Sequence, residues 1–445
     1  MARNILRRIV TIVALMTGLV VGMASNGAAQ IFPPKRPIPI PLPLLPALLE
    51  ITAGDQHTCV RKHDGTVYCW GDDALGQVGP STTTCKANGT LIATEPCVDT
   101  PTYVTQLSTI ASQIVAGASH TCALNAGFAE CWGSNLFGEL GNNASGIGTQ
   151  QTLPQNVLNS PLFTVLAAGP NVTCGLSQTG IFCWGQGPLR SLASSVSKPT
   201  LVEATYTSSG FYSSLTVGKQ FACFNSTASL FNENDCQGID NDDQLGIPHN
   251  PAPFVMPIDT GFGHTGQPFI DFLWASSLSP VLRASAGLDY VCADMTNGTV
   301  QCVGNNLNGK LGSGLNNATN PNATPVVSSS GSLLLHGVTS GLSHACALDS
   351  GGNAWCWGLN QSGELGTGST ASGSSNFAQP VSGGHTFRML AAGAHHTCGI
   401  GTDDYVYCWG DNEFGQLGIG KNALPSPNGF GSATSTGTPQ QVPAF

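Results

Sequence analysis

An all-β fold, a seven-bladed β-propeller with four antiparallel strands per blade, is predicted by three observations. A small-residue run ending in Gly, then Cys, a second Cys about ten residues on and usually Trp-Gly recurs seven times, starting at Thr52, Val115, Ala167, Thr216, Ser285, Thr339 and Ala391. Each unit holds two β-type runs around a turn, as in HTCVRK and TVYCW around HDG in the first, which reads as a hairpin. The units return every 49 to 69 residues and fill almost the whole chain, as expected of modules that cannot bury an apolar face alone.

The remaining two strands of each unit follow from the flanking sequence. One run precedes each hairpin and ends at its Gly; another follows later and carries Pro and Val, near Pro101, Pro154, Pro199, Pro253, Pro325, Pro380 and Pro439. Four short strands repeated seven times favour a propeller over a linear solenoid, the competing reading. The first unit starts near Ile51 and the last reaches Phe445, so no capping repeats are expected, and a closed ring needs none.

Residues 1–29 read as a secretory signal peptide: basic MARNILRR, apolar IVTIVALMTGLVVGMA, then small residues Gly27-Ala28-Ala29 before Gln30. An uncleaved anchor is the competing reading, because the apolar run approaches bilayer-spanning length. Residues 30–48, with seven prolines between Pro33 and Pro46, read as an extended linker, and 49–445 as the propeller. The expected location is therefore secreted, periplasmic or cell-surface, with no stable membrane insertion after cleavage.

Loss of residues 1–29 would remove Arg3, Arg7 and Arg8 and no acid, leaving 12 basic against 25 acidic residues, a formal net charge of −13. That balance excludes nucleic acid as the expected partner, since such binding relies on Lys and Arg neutralising phosphates.

Sixteen cysteines in an exported chain point to disulfides. Fourteen fall two per unit: Cys59 with Cys69, Cys122 with Cys131, Cys174 with Cys183, Cys223 with Cys236, Cys292 with Cys302, Cys346 with Cys356, and Cys398 with Cys408. Folding each hairpin about its turn sets the two opposite each other, within bridging range. Cys85 and Cys97 would close a separate loop. Zinc is the alternative, but its ligands come in fours whereas these come as one pair per hairpin.

The units resemble the repeat of the regulator of chromosome condensation family, whose hallmark is an AG, then H-T-x-A-L, then Y-x-W-G, then N-x-x-G-Q-L-G, then Pro and Val. The N-x-x-G-Q-L-G block stands here as DALGQVG from Asp73, NLFGELG from Asn135, NNLNGKLG from Asn305, NQSGELG from Asn360 and NEFGQLG from Asn412. Repeat four keeps a remnant, DNDDQLG from Asp240, and repeat three runs WGQGPLRSL instead. The resemblance covers residues 50–445 and implies a seven-bladed propeller; it is less informative about function, since one fold hosts many activities. Paired cysteines and the leader place the chain in a secreted, disulfide-rich branch rather than in the nuclear nucleotide-exchange role. The family's ultraviolet receptor carries Trp in G-W-R-H-T; the matching positions here are Asp55, Ala118, Pro170, Lys219, Leu288, Leu342 and Ala394. With the last repeat reaching Phe445, no ligase domain is expected.

Candidate sites are few. His57, His120, His344 and His396 precede the first Cys by two residues and suggest a ring of imidazoles, but Val172, Phe221 and Tyr290 stand there in the other units, so the position reads as a packing slot. Trp70, Trp132, Trp184, Trp357 and Trp409 read as blade packing; Gln237 and Val303 replace them in repeats four and five, which should pack differently. The acidic run from Asn232 departs from the calcium-loop register. Eight glycosylation-type sequons occur, at Asn88, Asn143, Asn171, Asn225, Asn297, Asn317, Asn322 and Asn360. No catalytic motif stands out, and no catalytic, cofactor or metal residue is assigned.

Three segments exceed the repeat: Pro80 to Thr100, Ile258 to Pro280 and Ile419 to Thr438. Loop additions on a rigid scaffold often carry binding. The first and last belong to neighbours in a closed ring and should form one patch, with the middle one on the opposite face. Phe262, Phe269, Phe272 and Trp274 in the middle segment are candidate partner-binding residues; packing down onto the ring is their other reading. The expected function is a non-catalytic, monomeric protein-binding scaffold without cofactor. A structural or adhesive envelope component is the alternative, and a carbohydrate-binding or hydrolytic protein using the channel mouth is the third reading.

Overall fold

The computed structural model describes residues 48–80, 96–186, 195–204, 212–219, 221–226, 234–238, 270–271, 281–315, 317–370, 373–420 and 435–443. The leader, the Pro-rich linker, Cys85 and the candidates Phe262, Phe269, Phe272 and Trp274 lie outside them. No described helix is long and apolar enough to cross a membrane.

Seven four-stranded antiparallel sheets follow one another along the chain, each built from contiguous sequence. Blade one comprises Leu48–Ala53, His57–Lys62, Val67–Asp72 and Cys97–Tyr103, from the inner strand to the outer. Blade two spans Gln113–Asn156, blade three Phe163–Ala204, blade four Tyr212–Asp271, blade five Val281–Pro325, blade six His336–Pro380 and blade seven Phe387–Gln441. Each inner strand packs on the next, and that of blade seven packs on blade one, so the ring is closed. Arg388 adds a bond across the closure, its Nη2 donating to the Leu48 carbonyl at 2.6 Å.

Six blades have outer strands of six to nine residues, whereas the described part of the outer strand of blade four is Ile270–Asp271. The Pro-Val run at Pro253, expected to supply that strand, lies outside the described residues; the observed pairing is Asp235 with Asp271 and Cys236 with Ile270. This corrects the expected division of faces. The segment before Ile270 joins third strand to outer strand, so it begins and ends on the same face as the long connections of blades one and seven, and only residues after Asp271 leave on the other.

The Trp-Gly pair has a local cause. In six blades the register slips between the second Cys and this Gly, as between Cys69 paired with Thr102 and Gly71 paired with Val98, so the outer strand carries extra residues there. In blades one, two, three and seven these include Pro101, Pro154, Pro199 and Pro439. Proline lacks the N–H a ladder requires, and a bulge on an edge strand tolerates it while discouraging pairing with another chain. The opposing Gly71 takes φ 113°, and a Cβ there would lie 2.3 Å from the Gln56 carbonyl oxygen, so only glycine fits.

Seven hairpins carry bridges: Cys59–Cys69, Cys122–Cys131, Cys174–Cys183, Cys223–Cys236, Cys292–Cys302, Cys346–Cys356 and Cys398–Cys408, with Cα separations of 4.0 to 4.1 Å. In each blade the two cysteines are direct cross-strand partners. Cys97, at the start of the outer strand of blade one, is also disulfide-bonded. Bridges in such numbers suit an oxidising environment.

Candidate functional site

The histidines and tryptophans of the repeat meet at the seams between blades. His57 Nε2 lies 2.9 Å from Thr121 Oγ1 of the next blade, and His120 reaches Thr173 at 2.8 Å, His344 reaches Thr397 at 2.9 Å and His396 reaches Thr58 at 2.8 Å. Each threonine hydroxyl also donates to a backbone carbonyl in the N-x-x-G-x-L-G block of the preceding blade: Gln77 for Thr121, Glu139 for Thr173, Glu364 for Thr397 and Gln416 for Thr58. The same carbonyls accept the indole N–H of Trp132, Trp184, Trp409 and Trp70 at 2.7 to 3.0 Å.

A carbonyl can only accept, so the threonine proton points to it and the threonine must accept from His Nε2–H. That fixes each imidazole as the neutral tautomer, with Nδ1 bare and buried against its own blade's Ala-Gly glycine. Burial holds the four well below the ordinary histidine range, His57 and His396 at about 3 and His120 and His344 at about 4. Three buried hydrogen bonds at about 1 kcal/mol each make such a clamp worth roughly 3 kcal/mol per seam. The fifth-to-sixth seam uses a variant: Tyr290 donates to the His344 carbonyl at 2.6 Å, and Trp357 to the Lys310 carbonyl at 3.0 Å. These side chains bind blade to blade, and the structural reading of both residue sets accounts for their placement.

The channel is lined by the Ala-Gly pairs that end the inner strands, among them Ala53-Gly54 and Ala116-Gly117. Around its mouth the following residues join neighbouring blades through the backbone, Asp55 N to Ala118 O at 3.1 Å and Ala394 N to Asp55 O at 3.2 Å. Asp55, Ala118, Pro170, Leu288 and Leu342, the positions matched to the receptor tryptophans, sit in this lining.

Charged groups gather on the same face where blades six, seven and one meet. Glu364 is fully buried; burial alone would raise its carboxyl, but the hydrogen bond with His395, 3.3 Å from Nδ1, and the Ser362 N–H at 2.8 Å bring it below the ordinary range. His395 is raised, first by that hydrogen bond and further by the fields of Glu364, Asp411 and Asp55. Burial raises Asp55 and Asp411, and His395 partly offsets both. Neither the Glu364–His395 pairing nor the carbonyl clamps could be read from one repeat, because their partners come from adjacent blades. The Glu364→Gln variant should lower the His395 pKa, since it removes the charged acceptor of that hydrogen bond. An NMR titration of that imidazole checks it, and an unchanged midpoint would show that Glu364 does not hold the proton there.

The third-to-outer connections on this face are 24, 31 and 25 residues long in blades one, four and seven, against 10 to 17 in the others. Among the described residues the opposite face carries exposed apolar side chains over blades one to three: Ile110, Phe128, Leu158 and Leu162.

Models of the regulator of chromosome condensation repeat match residues 50–77, 336–364 and 390–416, and a second such model matches 64–124. The chain carries repeats of the regulator of chromosome condensation type. The ultraviolet-B receptor UVR8 of Arabidopsis thaliana is 24% identical over 323 residues, 69% of this chain and 67% of the receptor. Protein RCC1 of Candida albicans is 34% identical over 97 residues, 20% of each chain. Among solved structures, Prp20p of Saccharomyces cerevisiae superposes with a TM-score of 0.66 at 18% identity, covering 86% of this chain and 87% of its own. Human WBSCR16 does so with 0.65 at 16% identity, covering 85% and 93%. At such identities the structures share the fold.

Proposed function

We propose that this repeat protein is exported and acts as a non-catalytic, monomeric scaffold that binds a protein partner over the channel-mouth face. The observation that carries this reading is the length of the connections there: two of the three long ones belong to blades seven and one, adjacent across the ring closure. Clamped seams and stapled hairpins hold their anchor points still, which lowers the cost of ordering an interface. The similar Prp20p has binding properties to Gsp1p and histones, so this kind of ring serves protein recognition elsewhere. The Ala-Gly lining offers little chemistry, in keeping with a binding rather than a catalytic role.

The test replaces residues 73–96 and 411–435, separately and together, by the fourteen-residue connection of blade six, residues 360–373. Proteins retained by the immobilised parent and variants from the native extracellular fraction are then identified by mass spectrometry. Loss of a selective partner in the double replacement is expected. Retention there, with loss in a Phe128→Asp variant, would move the site to the opposite face; surface localisation without any selective partner would favour the envelope role.

A further inference from the structure

Five of the seven seams carry a tryptophan clamp, and the two that do not flank the same blade. At the third-to-fourth seam the positions of the clamp histidine, threonine and tryptophan are held by Val172, Ala222 and Gln237; at the fourth-to-fifth they are held by Phe221, Val291 and Val303. Valine, alanine and phenylalanine side chains have no polar atom to offer. The acceptor side is altered as well, since the N-x-x-G-x-L-G block is missing from repeat three and reduced to DNDDQLG in repeat four.

Among the described residues, apolar side chains of blade four meet apolar side chains of both neighbours. Val217 and Ala222 pack with Val172 and Leu176 of blade three, and Phe221 with Val291 and Val303 of blade five. The described hydrogen bonds across the fourth-to-fifth seam are from Ala286 N to the Thr216 side-chain Oγ1 at 2.9 Å and from Lys219 N to Leu288 O at 3.3 Å. Local opening is favoured at seams that lack the buried polar clamp.

We propose that the described strands of blade four form the opening element of the ring: they separate from blades three and five while the seams that carry clamps remain packed. The Cys223–Cys236 bridge holds its central hairpin in register through each opening, so that it recloses without strand slippage. Opening uncovers the apolar seam surfaces around Val172 and Val291, both buried in the closed ring.

Hydrogen–deuterium exchange on the full chain, with its bridges intact during labelling, tests this. Amides of Tyr212–Ser226 and Asn234–Gly238 should exchange at least fivefold faster than those of His120–Asn125 and Phe128–Gly133 in blade two. A smaller difference overturns the proposal. A Thr173→Val, Trp184→Phe variant removes the clamp between blades two and three and should spread fast exchange to blade three. Unchanged protection of Val172–Ser177 in that variant would show that clamps do not set the order of opening; if the variant does not fold, the comparison within the parent chain decides.

Discussion

Lowering the pH from 7 to about 4.5, with all bridges intact, is expected to lower the ring's stability against denaturant. His57, His120, His344 and His396 stay neutral in the fold, with pKa values of about 3 to 4, but become protonated in the unfolded chain below about 6.5. A base whose folded pKa is depressed lends stability that is complete above the unfolded value and is lost as the pH falls toward the folded one. At pH 4.5 each should forfeit roughly 2 to 3 kcal/mol, or about 10 kcal/mol for the four.

Buried carboxyls act with the opposite sign. Burial raises Asp73 to about 7, with a hydrogen bond from Val78 working against the rise, so its folded form gains relative stability as the pH drops through this window. That offsets about one histidine, and Glu50 and Glu139, both raised first by burial, contribute in the same sense. The net loss is therefore smaller than the histidine total. A His120→Val, Thr173→Val variant isolates one seam with side chains like those the ring uses next to blade four. The difference between its stabilities at pH 7 and pH 4.5 should shrink by about 2 to 3 kcal/mol relative to the parent. Identical pH dependence in the two would show that the seam imidazole is not the acid-sensitive group.

What the sequence conceals is relational. The hairpin bridges were legible because Cys59 and Cys69 flank one turn, so their pairing depends only on local strand geometry. The packed position of His57 was also legible, since Val172 and Phe221 occupy the same slot. Its partner Thr121 belongs to the next unit, 64 residues on, and the carbonyl that orients both belongs to a loop of the first. Such a triangle exists only once the ring is assembled. The outer strand of blade four eluded pattern for another reason: two residues cannot display an alternation, and Pro253-Phe254-Val255 repeats the composition of the other outer strands at a place where the described pairing is not found. On the site side, lengths of sequence between repeats identified the long connections of blades one and seven.

Replacing the channel glycine of blade two is expected to be among the most damaging single changes, with Gly117→Ala costing about 3 to 5 kcal/mol. A Cβ at Gly117 would lie 2.1 Å from His120 Cε1 and 2.5 Å from the Gly169 carbonyl oxygen. Neither neighbour can yield cheaply. The imidazole is tied to Thr173 across the seam, and Gly169 is the inner-strand terminus of blade three, making the same approach to Gly218 of blade four at 2.6 Å. Movement of one blade would therefore be passed on to the next around a ring whose circumference is fixed by closure. Gly148→Ala is the informative control: φ there is 83°, which alanine adopts at a cost of about 1 kcal/mol, but nothing lies within 4 Å of the added carbon. Denaturant midpoints for the two variants separate backbone strain from lost contact between blades. Should Gly117→Ala lose no more than Gly148→Ala, the close packing of consecutive Ala-Gly pairs would not be what holds the inner ring together.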